Sequence, residues 1–381
     1  MGSPRIQSSR GCASPCSYCV ESFLNRLNSG SKSPVAFRAI KSAVDEIEIL
    51  QKKYRVVFFN DIDSSFEHIG KKGIERMKQF CDEIQKRNID ASFKIHMRAE
   101  TADGLDDAFL SRLKQSGVDI VGTGVESGLE SELRSFHKIA QVEQNKRAIK
   151  KLIQHNFFII LGHMMFSPIL SLEDLVRKAD FLKNIGYGWD YLSWSNNIVV
   201  YPGTVYHTYL KEKNLEIEHD ALTPRVPYRF LDKRVKTVAD FMGGLKRIFP
   251  ETMQLHQILY DSQNIVARYH NKINQHLWEK ENLFKEYKDI LDGILKSVSH
   301  GYSTLFLEAV ELANKKRVQP DWLYKKHQVK FFLSEEVQKA KKNLEGLLRN
   351  FEKEGLSTGK LYLKSWFSMR DSQNTSGGKN E

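Results

Sequence analysis

Apolar and polar positions alternate along the first two hundred residues in a way that changes period repeatedly. A short alternating stretch at Arg5–Ser9 predicts a strand. Ile40, Val44 and Ile47 then fall on one helical face within Ala36–Lys53. The run "RVVFFN", Arg55–Asn60, is bounded by polar residues and is short enough for a buried parallel strand. Ile74, Met77, Cys81 and Ile84 mark a second amphipathic helix. "ASFKIHMR", Ala91–Arg98, reads as a third strand, with a helix over Asp103–Gln115 behind it. "VDIVGTG", Val118–Gly124, is the fourth strand, and helices follow up to His155. "FFIILGHMMF", Phe157–Phe166, is the fifth, and Ser171 to Asp174 has the form of a helix capping box. "DYLSWSNNIVV", Asp190–Val200, alternates and is read as the sixth.

Strand–helix units repeating at roughly 30–40 residues predict a parallel sheet with its helices outside. The fold class expected is therefore α/β, a partial (β/α)6 TIM-like barrel over residues 1–223. Beyond Pro224 the period becomes helical, as at Leu344, Leu347, Leu348 and Phe351, which predicts a mainly helical C-terminal domain over residues 224–365. The polar Gly- and Ser-containing tail, 366–381, is expected to be disordered. In such sheets the chemistry sits at the carboxyl ends of the strands.

Composition alters this picture little. With 41% hydrophobic and 28% charged residues in 381, the chain is an ordinary globular one. No apolar run has the length of a signal peptide core or a membrane span, so the expected location is cytoplasmic, without a membrane partner. The net charge of +11 favours acidic partners without naming one. Eleven Lys or Arg against six Asp or Glu lie between Lys315 and Glu354, a net of +5, on either a solvated helix face or a docking surface. No interleaving of aromatic and basic residues marks a nucleic-acid site.

The cysteines change the picture most. Three of the four lie in "SSRGCASPCSYC", at Cys12, Cys16 and Cys19, directly after the first strand. Structural zinc takes four protein ligands, usually from paired hooks. Here one loop supplies three, and Cys81 belongs to an apolar helix face as a small buried hydrophobe. Three thiolates on an iron–sulfur cubane would leave one iron open for chemistry.

The CxxxCxxC spacing, the aromatic before its last cysteine and the preceding strand resemble the radical S-adenosylmethionine (SAM) superfamily. "GVESG", "FFNDIDSSF" and "YPGTVYH" further resemble the branch whose members often carry a cobalamin domain. The resemblance implies a 4Fe-4S cluster on Cys12, Cys16 and Cys19, S-adenosyl-L-methionine on the open iron, and a 5′-deoxyadenosyl radical that abstracts a substrate hydrogen. It also implies an electron donor such as flavodoxin or ferredoxin. Tyr18 would lie against the adenine, and Asn60 or Asp61 would accept the methionine ammonium. Arg98 would pair with the carboxylate, Glu126 and Ser127 with the ribose hydroxyls, and Gly162 would let the adenine approach.

Substrate contacts are expected from one parity of Asp190, Tyr191, Trp194 and Asn196. His163 and His207 are weighed as proton carriers against structural roles, and no hydrogen-atom donor is located. Eleven residues precede Cys12, too few for a cobalamin domain. The expectation is thus a radical SAM enzyme working on a small biosynthetic metabolite by epimerisation, dehydration, decarboxylation or rearrangement. The alternatives are the catalytic part of a cobalamin-dependent methyltransferase, an enzyme of tRNA or peptides, and a zinc-stabilised binding module.

Overall fold

A computed structural model describes residues 4–27, 35–67, 70–220, 222–269, 271, 281–315 and 321–353. Five parallel strands form its main sheet in the order β1 (Arg5–Ile6), β4 (Phe58–Asp61), β5 (Ser92–His96), β6 (Val118–Glu126) and β7 (Phe158–His163). The expected first strand is split. After β1, β2 (Ser9–Arg10) turns away to pair antiparallel with β3 (Ala36–Phe37). The break falls where Ser8 and Ser9 bend towards Asp63, whose carboxylate accepts from the Ser8 N–H at 2.8 Å and from both hydroxyls at 2.6 and 2.8 Å.

Helices join the strands: α1 (Val20–Leu27), α2 (Ile40–Tyr54), α3 (Lys71–Lys86), α4 (Ala99–Gly104), α5 (Asp107–Gln115), α6 (Glu130–Ser135), α7 (Val142–Gln154) and α8 (Leu172–Asn184). Their apolar faces pack on the outer face of the sheet. Phe59 stacks on Phe93, which meets Phe80 of α3 edge-on at 5.2 Å. Cys81 is completely buried on the same helix, as its spacing predicts. The expected capping box is present: Ser171 Oγ accepts from the Asp174 N–H, and Asp174 accepts from the Ser171 N–H at 3.0 Å.

The sixth strand is a correction. Its first residues form the one-turn helix α9 (Tyr191–Ser195), and only a parallel bridge between Phe166 and Asn197 marks the sixth strand position. Asp190 caps this turn by accepting from the Leu192 N–H, and the Trp194 indole donates to the Gly188 carbonyl at 2.7 Å. Tyr191 donates to the Met242 carbonyl. These three side chains are committed to the core, so the expected substrate contacts from Asp190, Tyr191 and Trp194 are not made from a strand.

After α10 (Val205–Glu212) come α11 (Lys233–Ile248), α12 (Glu251–Tyr269), α13 (Glu281–Asn314) and α14 (Asp321–Lys353). From Lys233 onward every described element is a helix. Phe306 and Tyr302 of α13 cover Trp194, Phe166 and Tyr191, so this helix shields the open edge beyond β7. Helix α12 lies under the sheet, across the amino ends of the strands. Tyr260 packs on Phe158, Arg268 on Phe58, and the Ala267 carbonyl accepts from Lys114 Nζ at 2.5 Å. The helix thus stoppers the end opposite the Cys loop. The described part of the basic C-terminal run carries intrahelical pairs such as Lys339–Glu335 and Arg349–Glu345, as a solvated face does. The tail expected from residue 366 and the Phe351 side chain lie outside the described residues.

Candidate active site

Exposure along the inner strands shows that the barrel is hollow. Along β5 and the two residues after it, Phe93, Ile95 and Met97 are buried under helices, whereas Lys94, His96 and Arg98 are half-buried. Phe58 and Asn60 alternate with Phe59 and Asp61 in the same way. Strand parity thus divides outward packing residues from inward ones that reach solvent-accessible space.

The Cys loop closes over the upper rim of this space. The Ser17 N–H donates to the Phe136 carbonyl at 2.9 Å, and the Ser17 hydroxyl donates to the Ser135 carbonyl. The Tyr206 N–H donates in turn to the Ser17 carbonyl at 2.8 Å, and Asn25 donates to that of Cys12. Gly203, at φ 79°, supplies the turn against which α1 packs; a Cβ there would lie 2.5 Å from the Phe23 ring. This explains the "YPGT" element: Thr204 caps α10, and Gly203 leaves room for the helix that follows the cysteines.

All four cysteines are free thiols. Burial pushes the Cys16 thiol up to about 11 and raises that of Cys19. No three His, Cys, Asp or Glu side chains among the described residues close round a single metal ion. Three soft thiol donors spaced along one anchored loop fit an iron–sulfur cluster better than a lone zinc ion.

Beside the loop stands Glu126. It follows a bulge in β6 and holds φ 61°, a left-handed conformation unusual for a glutamate. Strain of this kind persists where the surroundings over-determine it. Tyr18 lies beside the Glu126 carboxylate and packs edge-on against Phe136 at 5.4 Å. Burial pushes its hydroxyl well above the ordinary phenol range. Lys138 Nζ lies 3.7 Å from Glu126 Oε1. Burial opposes its charge, but Glu126, Cys16, Glu100 and Cys12 hold the net shift upward. Gly124 makes room for the carboxylate, since a Cβ there would sit 2.1 Å from Glu126 Oε1. Gly162 faces Gly124 on the next strand, where a Cβ would lie 3.1 Å from the Gly124 Cα.

The remaining predicted residues divide. Arg98 lines a small recess with Cys12 and Glu67, and its Nε donates to Glu67 Oε1 at 3.0 Å. Asn60 is inward, in register with Lys94. Asp61 has the opposite parity and lies in the outer network of Asp63 and Arg76, where burial first and then Asp63 push its carboxyl up to about 8. The Ser127 hydroxyl, expected at the rim, is fully buried and donates to Glu132 Oε2 at 2.5 Å, which leaves Glu126 as the member of this pair beside the Cys loop. Glu132 also binds Lys178, which is pushed down by burial and donates to the Met164 carbonyl at 2.6 Å.

His163 faces away from the interior against Phe181, with its Nδ1 3.1 Å from the Ser193 carbonyl. Burial lowers it to about 3. His207 accepts from the Gly203 N–H and bonds to Glu216 at 3.1 Å, a structural post. Lys138 was missed because it lies beyond the strand tip, in the α6–α7 connection, where no period marks it.

This geometry, a Cys loop over the carboxyl ends of a parallel partial barrel, defines a class. Residues 6–195 match the family model described as the Radical SAM superfamily, and the chain belongs to that superfamily. It is a radical SAM enzyme, and its cofactors are a 4Fe-4S cluster and S-adenosyl-L-methionine.

The chain is 34% identical over 143 residues to an anaerobic magnesium-protoporphyrin IX monomethyl ester cyclase of Rubrivivax gelatinosus, covering 38% of this chain and 24% of that one. It is 24% identical over 196 residues to 4′-phospho-dehydrooxetanocin synthase of Priestia megaterium, covering 48% and 26%. The chain therefore spans about a quarter of these relatives. Its fold is similar to that of the cobalamin-dependent S-adenosylmethionine radical enzyme OxsB with aqua-cobalamin bound. That match has TM-score 0.55 at 16% identity and covers 96% of this chain and 58% of OxsB.

Proposed function

We propose that this enzyme acts on a carbon-bound hydrogen of a small biosynthetic metabolite held inside the barrel. The observation that carries the reading is the convergence on one rim of Cys12, Cys16, Cys19, Tyr18, Glu126 and Lys138 above a half-open polar interior. Held by these cysteines, a reduced cluster would supply an electron, and bound SAM the hydrogen-abstracting group, for this chemistry.

The protein's own groups hold and orient. The three cysteines would ligate the cluster, and the backbone anchors at Ser17 fix their loop. Glu126 would accept from the ribose hydroxyls, positioned by Tyr18 and Lys138. Gly124 and Gly162 form a flat wall for the adenine. Arg98 would approach the methionine carboxylate from its place beside Glu67. The electron would come from a small redox protein such as flavodoxin or ferredoxin. No helix of the described residues is long and apolar enough to cross a membrane.

Anaerobic incubation with dithionite and SAM tests this. Release of 5′-deoxyadenosine is expected; a protein that carries the cluster and releases none would overturn the proposal.

The likeness to OxsB favours a second reading, in which this chain is the catalytic part of a cobalamin-dependent enzyme. Gel filtration after titration with hydroxocobalamin separates the two. No corrin is expected to co-elute with this chain, and stoichiometric co-elution would establish the second reading.

A further inference from the structure

The inner wall of the barrel carries groups that the Cys loop does not use. Its register stacks them in rows. Above Phe58 and Ser92, Asn60, Lys94, Ile120 and Phe158 form one, His96, Gly122 and Ile160 the next, and Gly124 with Gly162 the row below the rim. Lys94 is half-buried, yet among the described residues no acceptor takes a hydrogen bond from its ammonium. Burial lowers its basicity, and the Asp61 carboxylate on the far side of the strand offsets this only in part.

The His96 ring lies across Gly122, where a Cβ would come within 2.5 Å of its Cδ2. Its Nδ1 is buried without a well-formed hydrogen bond, although the Asp63 backbone lies close enough to favour a proton there. Inward polar groups left unmatched in a cavity mark the place of a complementary ligand. An unpaired ammonium with an imidazole beside it complements an anion, and the same row ends at the apolar Ile160.

We propose that Lys94, with His96 above it, anchors an oxyanion of the substrate, so that the metabolite is a small organic anion carrying a carboxylate or a phosphate. Its carbon body lies along Ile160 towards Gly162. Four strand residues, about 13 Å, separate the Lys94 row from the Gly124–Gly162 row, enough for one ring with a side group between anchor and rim. That the anion belongs to the substrate rests on the function proposed above; that an anion binds here does not.

Calorimetry on the anaerobically reconstituted chain tests the proposal, with inorganic phosphate and benzoate as probes. At least one should bind wild type, and the tighter tells a phosphate from a carboxylate substrate. Lys94→Met should weaken that binding about tenfold or more, as expected for losing a charge-assisted bond, and Lys94→Arg should restore most of it. Iron content and SAM affinity should stay at the wild-type level in both variants, which also reports on folding. Failure of wild type to bind either probe, equal binding by Lys94→Met, or a matching loss of SAM affinity would overturn the anchor. A wild-type chain that bound the anion but assembled no cluster would instead sink the radical reading while leaving the anion site standing.

Discussion

Lys138 holds its ammonium 3.7 Å from the Glu126 carboxylate, at the point where that residue is forced into a left-handed turn beside the Cys loop. The pair joins the tip of β6 to the connection after α6. Removing Glu126 as Glu126→Ala should weaken SAM binding by about 1–3 kcal/mol, and Lys138→Met should do the same through a displaced carboxylate. Arg98→Ala should cost less, because Glu67 already engages that guanidinium. Calorimetric affinities check the order; unchanged binding in both the Glu126 and Lys138 variants would place the cofactor elsewhere.

Gly124→Ala tests the same carboxylate by steric means. The new Cβ would fall 2.1 Å from Glu126 Oε1, so the side chain must swing away. Loss of SAM affinity with a wild-type melting profile is expected. Retained affinity would show that the carboxylate position is not used.

Changing Cys12, Cys16 and Cys19 together to Ala should abolish a content of about four iron and four sulfide per chain. The circular dichroism spectrum should persist, because backbone bonds at Ser17 hold the loop. Stoichiometric iron in the triple variant would refute the ligand set.

The Lys178–Glu132 pair is fully enclosed and also holds Ser127 and Ser167. Lys178→Met should destabilise the protein by about 3–5 kcal/mol in denaturant titrations, since it strands a buried carboxylate. Lys178→Met with Glu132→Gln should recover part of that loss. A single variant as stable as wild type would contradict the burial.

His163 remains neutral in the fold to about pH 3, whereas in the unfolded chain it protonates near 6.5. Between those values the unfolded chain binds the extra proton, so stability falls as pH falls, by about 1.4 kcal/mol per unit. The stability difference between wild type and His163→Leu should follow this slope between about pH 6 and 4. A difference independent of pH would show that the ring is solvated.

Strands β4 to β7 were legible because each is an apolar run between polar turns, and the Cys spacing located the rim. The sixth strand misled because α9 is a single helical turn. Over so few residues, Asp190 acting as a cap reads the same as the polar half of an alternation. Parity was the other hidden variable. Asp61 and Asn60 are adjacent in sequence but lie on opposite faces, as do His163 and Gly162, and only the register with neighbouring strands decides which member faces inward. Lys138 carries no periodic signal, and Ser127 was read as a rim residue although Glu132, one helical turn later, takes its hydroxyl.

Helix α12, set beneath the strands, makes the barrel a beaker instead of a tunnel. On the binding mode proposed above, with an anion at the Lys94 row and SAM beside the cysteines, entry over the beaker's lip would load the anion first and release it last.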